Sequence, residues 1–157
     1  MSDIENLKVY FASPWFNPEQ AEREDRVKNK LRELGFNVWS PKDNCVCSPI
    51  ADEEMRKKVF NDNVKNIVSS DIIFAITDGK DMGTIWEAGF ACGVNSSGIF
   101  QNSIKIVYYC ETLGPNGQFN LMLAQSGDIV ITKFEDLDKL PDLIKNGEGF
   151  AYAGIVE

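Results

Sequence analysis

A doubly wound α/β fold, with about five parallel strands flanked by helices, is the architecture this sequence predicts, on three observations. Short apolar runs rich in strand formers recur along the chain: Leu7–Ala12, Phe36–Trp39, Asp71–Thr77, Ile104–Tyr109 and Asp128–Thr132. Helical stretches separate most of them, as crossovers between parallel strands require. The run DIIFAIT from Asp71 is continuously apolar, the pattern of a strand buried on both faces of a parallel sheet.

The elements follow in order. Leu7–Ala12 (LKVYFA) forms the first strand and breaks at Ser13-Pro14. Asn17-Pro18 supplies an N-cap with proline in the first turn, opening a charged helix that runs to about Leu34 and stops at Gly35. Phe36–Trp39 is the second strand, and Ser40–Ile50, with two prolines, reads as a loop. A second helix spans Asp52 to about Ser69. After the strand at Asp71–Thr77 come a turn, Asp78–Gly83, and a helix from Thr84 to about Val94. Ile104–Tyr109 is the next strand, Asn120–Gln125 a short helix, Asp128–Thr132 a strand and Leu137–Ile144 a helical stretch. No repeat or linker interrupts the pattern, so residues 1–157 are expected to form a single domain, flavodoxin-like or Rossmann-like. Ligands in such sheets sit at the carboxyl ends of the strands. That directs attention to Ser13–Asn17, Ser40–Ile50, Asp78–Glu87 and Glu111–Asn120.

Composition narrows the chemistry. A net charge of -8 argues against binding a nucleic-acid backbone, though not against neutral nucleosides. No apolar run is long enough to span a bilayer, and MSDIENLK lacks the apolar stretch of a signal peptide, so a cytoplasmic location is expected. Cys45, Cys47, Cys92 and Cys110 have neither disulfide nor zinc spacing and are expected to be free thiols. There is no histidine, which removes Ser-His and Cys-His catalysis and every histidine-metal site.

The sharpest feature is Asp81-Met-Gly83-Thr84-Ile-Trp-Glu87-Ala-Gly89, which follows the most apolar strand and opens a helix. Glu87 there suits an attacking carboxylate. Thr84-x-x-Glu87 equally fits a capping box, in which the glutamate reaches back to the helix start and is not free to react. Asp78 and Asp81 share one turn, where Asp-Gly is also ordinary turn chemistry. Trp15 and Phe16, at a strand's carboxyl end, suit stacking on a planar base or packing on a helix. Tyr10 lies inside a strand, where core packing is the usual role, and Asn120 fits a helix cap or a contact to a ligand hydroxyl. No phosphate-binding glycine loop is present.

Taken together these pieces resemble the nucleoside 2-deoxyribosyltransferase (N-deoxyribosyltransferase) family. The match runs through Val9–Phe16, Pro41–Asn44, Ser70–Ile73, Asp81-x-Gly83-x-x-x-Glu87-x-Gly89-x-Ala91, Asn120–Met122 and Tyr152-x-Gly154-x-Val156. The resemblance implies that Glu87 attacks C1' and forms a covalent 2-deoxyribosyl ester, that Tyr10 orients it, and that Asp81 contacts the base. It implies that Trp15 and Phe16 wall the pocket and that Asn44, Asn63 and Gly83 line the substrate site. It places Asn120 and the terminal Glu157 in a site shared with a neighbouring subunit, in a hexamer built from dimers. Substrates would be 2'-deoxynucleosides and free nucleobases, with neither metal nor cofactor and no nucleic acid or membrane partner. Three positions depart from the family pattern. Asn63 stands where the family has an aspartate that protonates the base, with Asp62 beside it; Cys45 replaces a glutamine, and Glu157 a tyrosine. An amide cannot act as a general acid, so Asp81 serves, or Asp62 takes over, or base preference and rate are altered. Two alternatives stand beside this reading: a hydrolase of 2'-deoxynucleoside 5'-monophosphates on the same fold, and a non-catalytic nucleotide-binding module in which Glu87 is a cap.

Overall fold

The computed structural model describes residues 3–157. Five strands form one parallel sheet: β1 (Lys8–Ala12), β2 (Asn37–Trp39), β3 (Ile72–Ile76), β4 (Lys105–Tyr109) and, numbered here in chain order after the short β5 (Gln118–Phe119), β6 (Ile129–Ile131). Their spatial order is β2-β1-β3-β4-β6. The chain leaves β1 toward one edge and returns to β3 on its other side, so a crevice opens between the carboxyl ends of β1 and β3, where α/β sheets of this order bind ligands.

Side-chain alternation along each strand builds two cores. Val9, Phe11, Ile72, Phe74, Val107 and Tyr109 face α1 (Pro18–Glu33), α6 (Leu140–Lys145) and a 3-10 turn at Phe134–Lys139. Tyr10, Ala12, Ile73, Ala75, Ile106 and Tyr108 face the other way, toward α3 (Glu53–Val68), α4 (Met82–Ser97) and α5 (Leu121–Ser126). Every residue of β3 is buried, as its unbroken apolar run predicts.

The helix starts obey capping chemistry. Asn17 accepts from the Gln20 N–H with Pro18 in the first turn, and Asp52 accepts from the Met55 N–H. Gly35, at φ 95°, reverses the chain after α1 without the penalty a Cβ would bring. Three features differ from the sequence expectation. The segment expected to be a loop after β2 begins with a helical turn, α2 (Pro41–Asn44), because Ser40 caps it through the Asp43 N–H. The stretch at Leu137–Ile144 is two pieces, with Pro141 in the first turn of α6. The tail forms β7 (Ile155–Val156), which pairs in parallel with β5. No helix among the described residues is long and apolar enough to cross a membrane.

Candidate active site

Tyr10 is the pivot of the site. Its place in the alternation of β1 turns it toward α4, where Ala12, Ala75, Ala88 and Ala91 keep the packing shallow. It is fully buried and stacks on Trp39 with ring centroids 5.2 Å apart. A buried phenol needs a hydrogen-bond partner, and its O–H donates to Glu87 Oε1 at 2.7 Å. Sequence reasoning on residues alone favours a core tyrosine, and the resemblance an orienting one; the structure shows a buried ring whose hydroxyl meets Glu87.

Glu87 is not a cap. α4 begins at Met82, earlier than the Thr84 start expected, and its N-cap is Asp81. Asp81 Oδ2 accepts from the Thr84 N–H at 2.8 Å and from Thr84 Oγ1 at 2.9 Å. The capping box from Thr84 to Glu87 is therefore not formed, and Glu87 instead lines a cleft. Burial pushes the Glu87 carboxyl up to about 7; the Asp81 charge adds to the shift and the Tyr10 hydrogen bond opposes it. Burial, reinforced by the Glu87 charge, pushes the Tyr10 phenol up as well, so it stays protonated and remains a donor.

The cleft encloses about 390 Å³. Trp15 and Phe16 form one wall, their rings 5.4 Å apart, and Asp81, Gly83 and Glu87 the floor. A Cβ at Gly83 would stand 3.2 Å from Asp81 Oδ2 and crowd the carboxylate that caps α4. Cys45 and Asn63 also line it, with Cys45 Sγ donating to Asn63 Oδ1 at 2.9 Å. Val46, Pro49 and Val59 complete the apolar lining. Val46 and Pro49 are exposed apolar residues in the loop after α2, whereas Val59 comes from α3. The lining contains no lysine or arginine.

Other expected residues lie elsewhere. Asn44 is exposed and donates to the Ser40 carbonyl at 2.9 Å, outside the cleft lining. Asp62 pairs with Lys58 at 2.7 Å and is also outside it. Asp78 shares a turn with Asp81 but points away. It is buried and accepts the N–H groups of Thr112 and Glu111 at 2.7 and 3.2 Å, because positive φ at Gly79 and Lys80 turns the chain between the two aspartates. Asn120 and Glu157 border a second cavity of about 410 Å³, whose lining shares no residue with the first. Asn120 Oδ1 caps α5 through the Met122 and Leu123 N–H groups at 3.0 and 3.3 Å. The Glu157 N–H donates to the Phe119 carbonyl at 3.0 Å, holding the tail beside it. All four cysteines are free thiols.

The structure is similar to a 2-deoxyribosyltransferase from Bacillus psychrosaccharolyticus, at 27% identity and a TM-score of 0.74, covering 92% of this chain and 98% of that one. Two more distant structures share the fold. One is a conserved protein from Enterococcus faecalis V583 (21% identity, TM-score 0.66, 90% and 98% covered). The other is a CMP N-glycosidase from Clostridium botulinum (19%, 0.52, 87% and 98%). No curated protein sequence matches this one. The family model described as nucleoside 2-deoxyribosyltransferase matches residues 9–138, most of the chain, which therefore belongs to that family of deoxyribose-transferring enzymes.

Proposed function

We propose that the protein moves 2-deoxyribose between purine or pyrimidine bases through an ester on Glu87. The observation that carries this reading is the hydrogen bond from Tyr10 to Glu87 Oε1. It holds one oxygen of a half-buried carboxylate that lines a cleft with Trp15 and Phe16 and with no lysine or arginine in its lining. Glu87 forms a bond to C1' as the bond from C1' to the base breaks, and the electron pair leaves on the base nitrogen, which takes a proton from water. The incoming base then attacks C1' from the face the first base left, its ring N–H proton passes to water, the ester bond breaks to free the Glu87 carboxylate, and two inversions retain configuration. Asn63 has no acid proton to give. Trp15 and Phe16 cover the base, and Gly83 leaves space for the substrate. The chemistry calls for neither metal nor cofactor.

A 5'-phosphate would meet no lysine or arginine in the cleft lining, so free nucleosides are the proposed substrates rather than nucleoside 5'-monophosphates. The binding-module alternative rests on Glu87 as a helix cap, a role Asp81 fills. Asn120 and Glu157 are proposed to serve a neighbouring subunit's site in a hexamer of dimers. Asn120 keeps its Nδ2 for that contact, and Leu121 and Met122 beside it expose apolar surface. Free thiols suit the cytoplasm.

The test is to incubate the protein with 2'-deoxyinosine and adenine and separate the products by chromatography. Formation of 2'-deoxyadenosine by the wild type and its loss in Glu87→Ala are expected. Free deoxyribose with no transfer would make the enzyme a hydrolase, and a fully active monomer in sedimentation would remove the shared site.

A further inference from the structure

The contact between Cys45 and Asn63 engages one end of an amide that lines the cleft. Cys45 ends α2 and Asn63 lies on α3, and both line the cleft with Asp81 and Glu87. Burial, with the Asp62 charge beside it, pushes the Cys45 thiol up, so it keeps its proton and stays a donor. Its bond to Asn63 Oδ1 occupies the carbonyl end of the amide. Nδ2, which can only donate, has no partner among the described residues. Asp81, which also lines the cleft, spends Oδ2 on Thr84 and keeps Oδ1 as an acceptor. The cleft lining therefore carries one unpartnered donor and one unpartnered acceptor.

We propose, resting on the transfer reading above, that Asn63 and Asp81 select bases carrying an amine next to a ring-nitrogen acceptor, with Cys45 as the positioning residue. Adenine and cytosine present that pair: Nδ2 donates to the ring nitrogen, and the exocyclic amine donates to Asp81 Oδ1. Their oxo counterparts, hypoxanthine and uracil, reverse both partners. A ring N–H meets the amide donor and a carbonyl meets the carboxylate. Leaving buried polar groups unpaired is what gives such sites their discrimination.

The experiment is calorimetric titration of adenine against hypoxanthine and cytosine against uracil, with turnover of the four matching 2'-deoxynucleosides measured in parallel. Wild type is expected to bind the amino member of each pair at least about tenfold more tightly. Cys45→Ala frees the amide to turn and should bring each pair toward equality, whereas Cys45→Ser retains a donor and the preference. Asn63→Asp replaces the donor with an acceptor and should shift both pairs toward the oxo base; it serves as the independent variant if Cys45→Ala does not fold. Equal binding within both pairs by wild type overturns the proposal. So does a Cys45→Ala effect that weakens both members equally, since a merely structural cysteine would act that way. Selective binding without turnover would sustain this inference and sink the transfer reading. Transfer with no amino preference would do the reverse.

Discussion

Two glutamates in this molecule accept a hydrogen bond from a tyrosine, and they titrate in opposite directions. Glu111, just beyond β4, takes the Tyr109 phenol at 2.5 Å together with Arg23 at 2.7 Å and Arg26 at 2.8 Å. Burial alone would raise its pKa, but the bonds from Tyr109, Arg23 and Arg26 outweigh that and hold it below the ordinary carboxylate range. Glu87 takes the Tyr10 phenol and no cation among the described residues, and burial pushes it up to about 7. One partner set makes a pinned structural ion; the other leaves a carboxylate whose charge the fold does not neutralise. An uncompensated charge of this kind suits attack on a carbon that develops positive character.

Removing Glu87 should produce the largest effect. Glu87→Ala is expected to abolish transfer, by at least about a thousandfold, because the ester cannot form. Glu87→Gln separates chemistry from stability. The folded pKa of about 7 lies above the ordinary glutamate value of about 4.5, so the native state holds a proton that the unfolded chain releases. Stability is then full below about 4.5 and falls as pH rises through about 7. A shift of this size corresponds to at most about 3 kcal/mol. Melting curves should show Glu87→Gln level with wild type near pH 4 and several degrees higher near pH 8. A melting temperature lower than wild type at pH 8 would contradict the account of Glu87 as an uncompensated charge.

The next effect comes from the shared partner. Tyr10→Phe deletes the single bond that favours ionised Glu87, so kcat should fall by roughly ten- to a hundredfold. The rate should rise with pH as Glu87 ionises, and in the variant that rising limb should move to higher pH. A loss of rate with an unmoved limb would mean that Tyr10 acts by packing on Trp39 rather than by holding the carboxylate.

Much of this was legible in the sequence. Alternating apolar runs and helices place Glu87 at the carboxyl end of the sheet, because β3 is unbroken and α4 follows within one turn. The helix start was not legible: Asp81-x-x-Thr84 and Thr84-x-x-Glu87 are equally good capping signals, and only the geometry of the turn after β3 chooses between them. That same turn separates Asp78 from Asp81, three residues apart, through positive φ at Gly79 and Lys80. The parallel pairing of two-residue strands at the tail leaves no periodic trace. The Cys45 and Asn63 contact joins a loop to a helix and had no local signal either.

The smallest effect sharpens the opening contrast. Glu111→Gln should leave transfer nearly intact, because Glu111 lies outside the cleft lining, and should destabilise the fold by about 2 kcal/mol. That figure is below the cost of breaking a fully buried ion pair, since the Glu111 side chain keeps 21% of its surface in solvent while Arg23 keeps 7%. The pH dependence is the decisive part. A depressed carboxylate stabilises the fold above its unfolded pKa, and that contribution is lost as pH falls through the folded value. Wild type should therefore be more stable than Glu111→Gln at neutral pH, with the two converging in acid. Glu87→Gln should instead be more stable than wild type at alkaline pH and converge with it in acid. Differences of opposite sign, measured by thermal melts across one pH series, would establish that the arginines distinguish the two Tyr–Glu pairs; the same sign for both would place the distinction elsewhere.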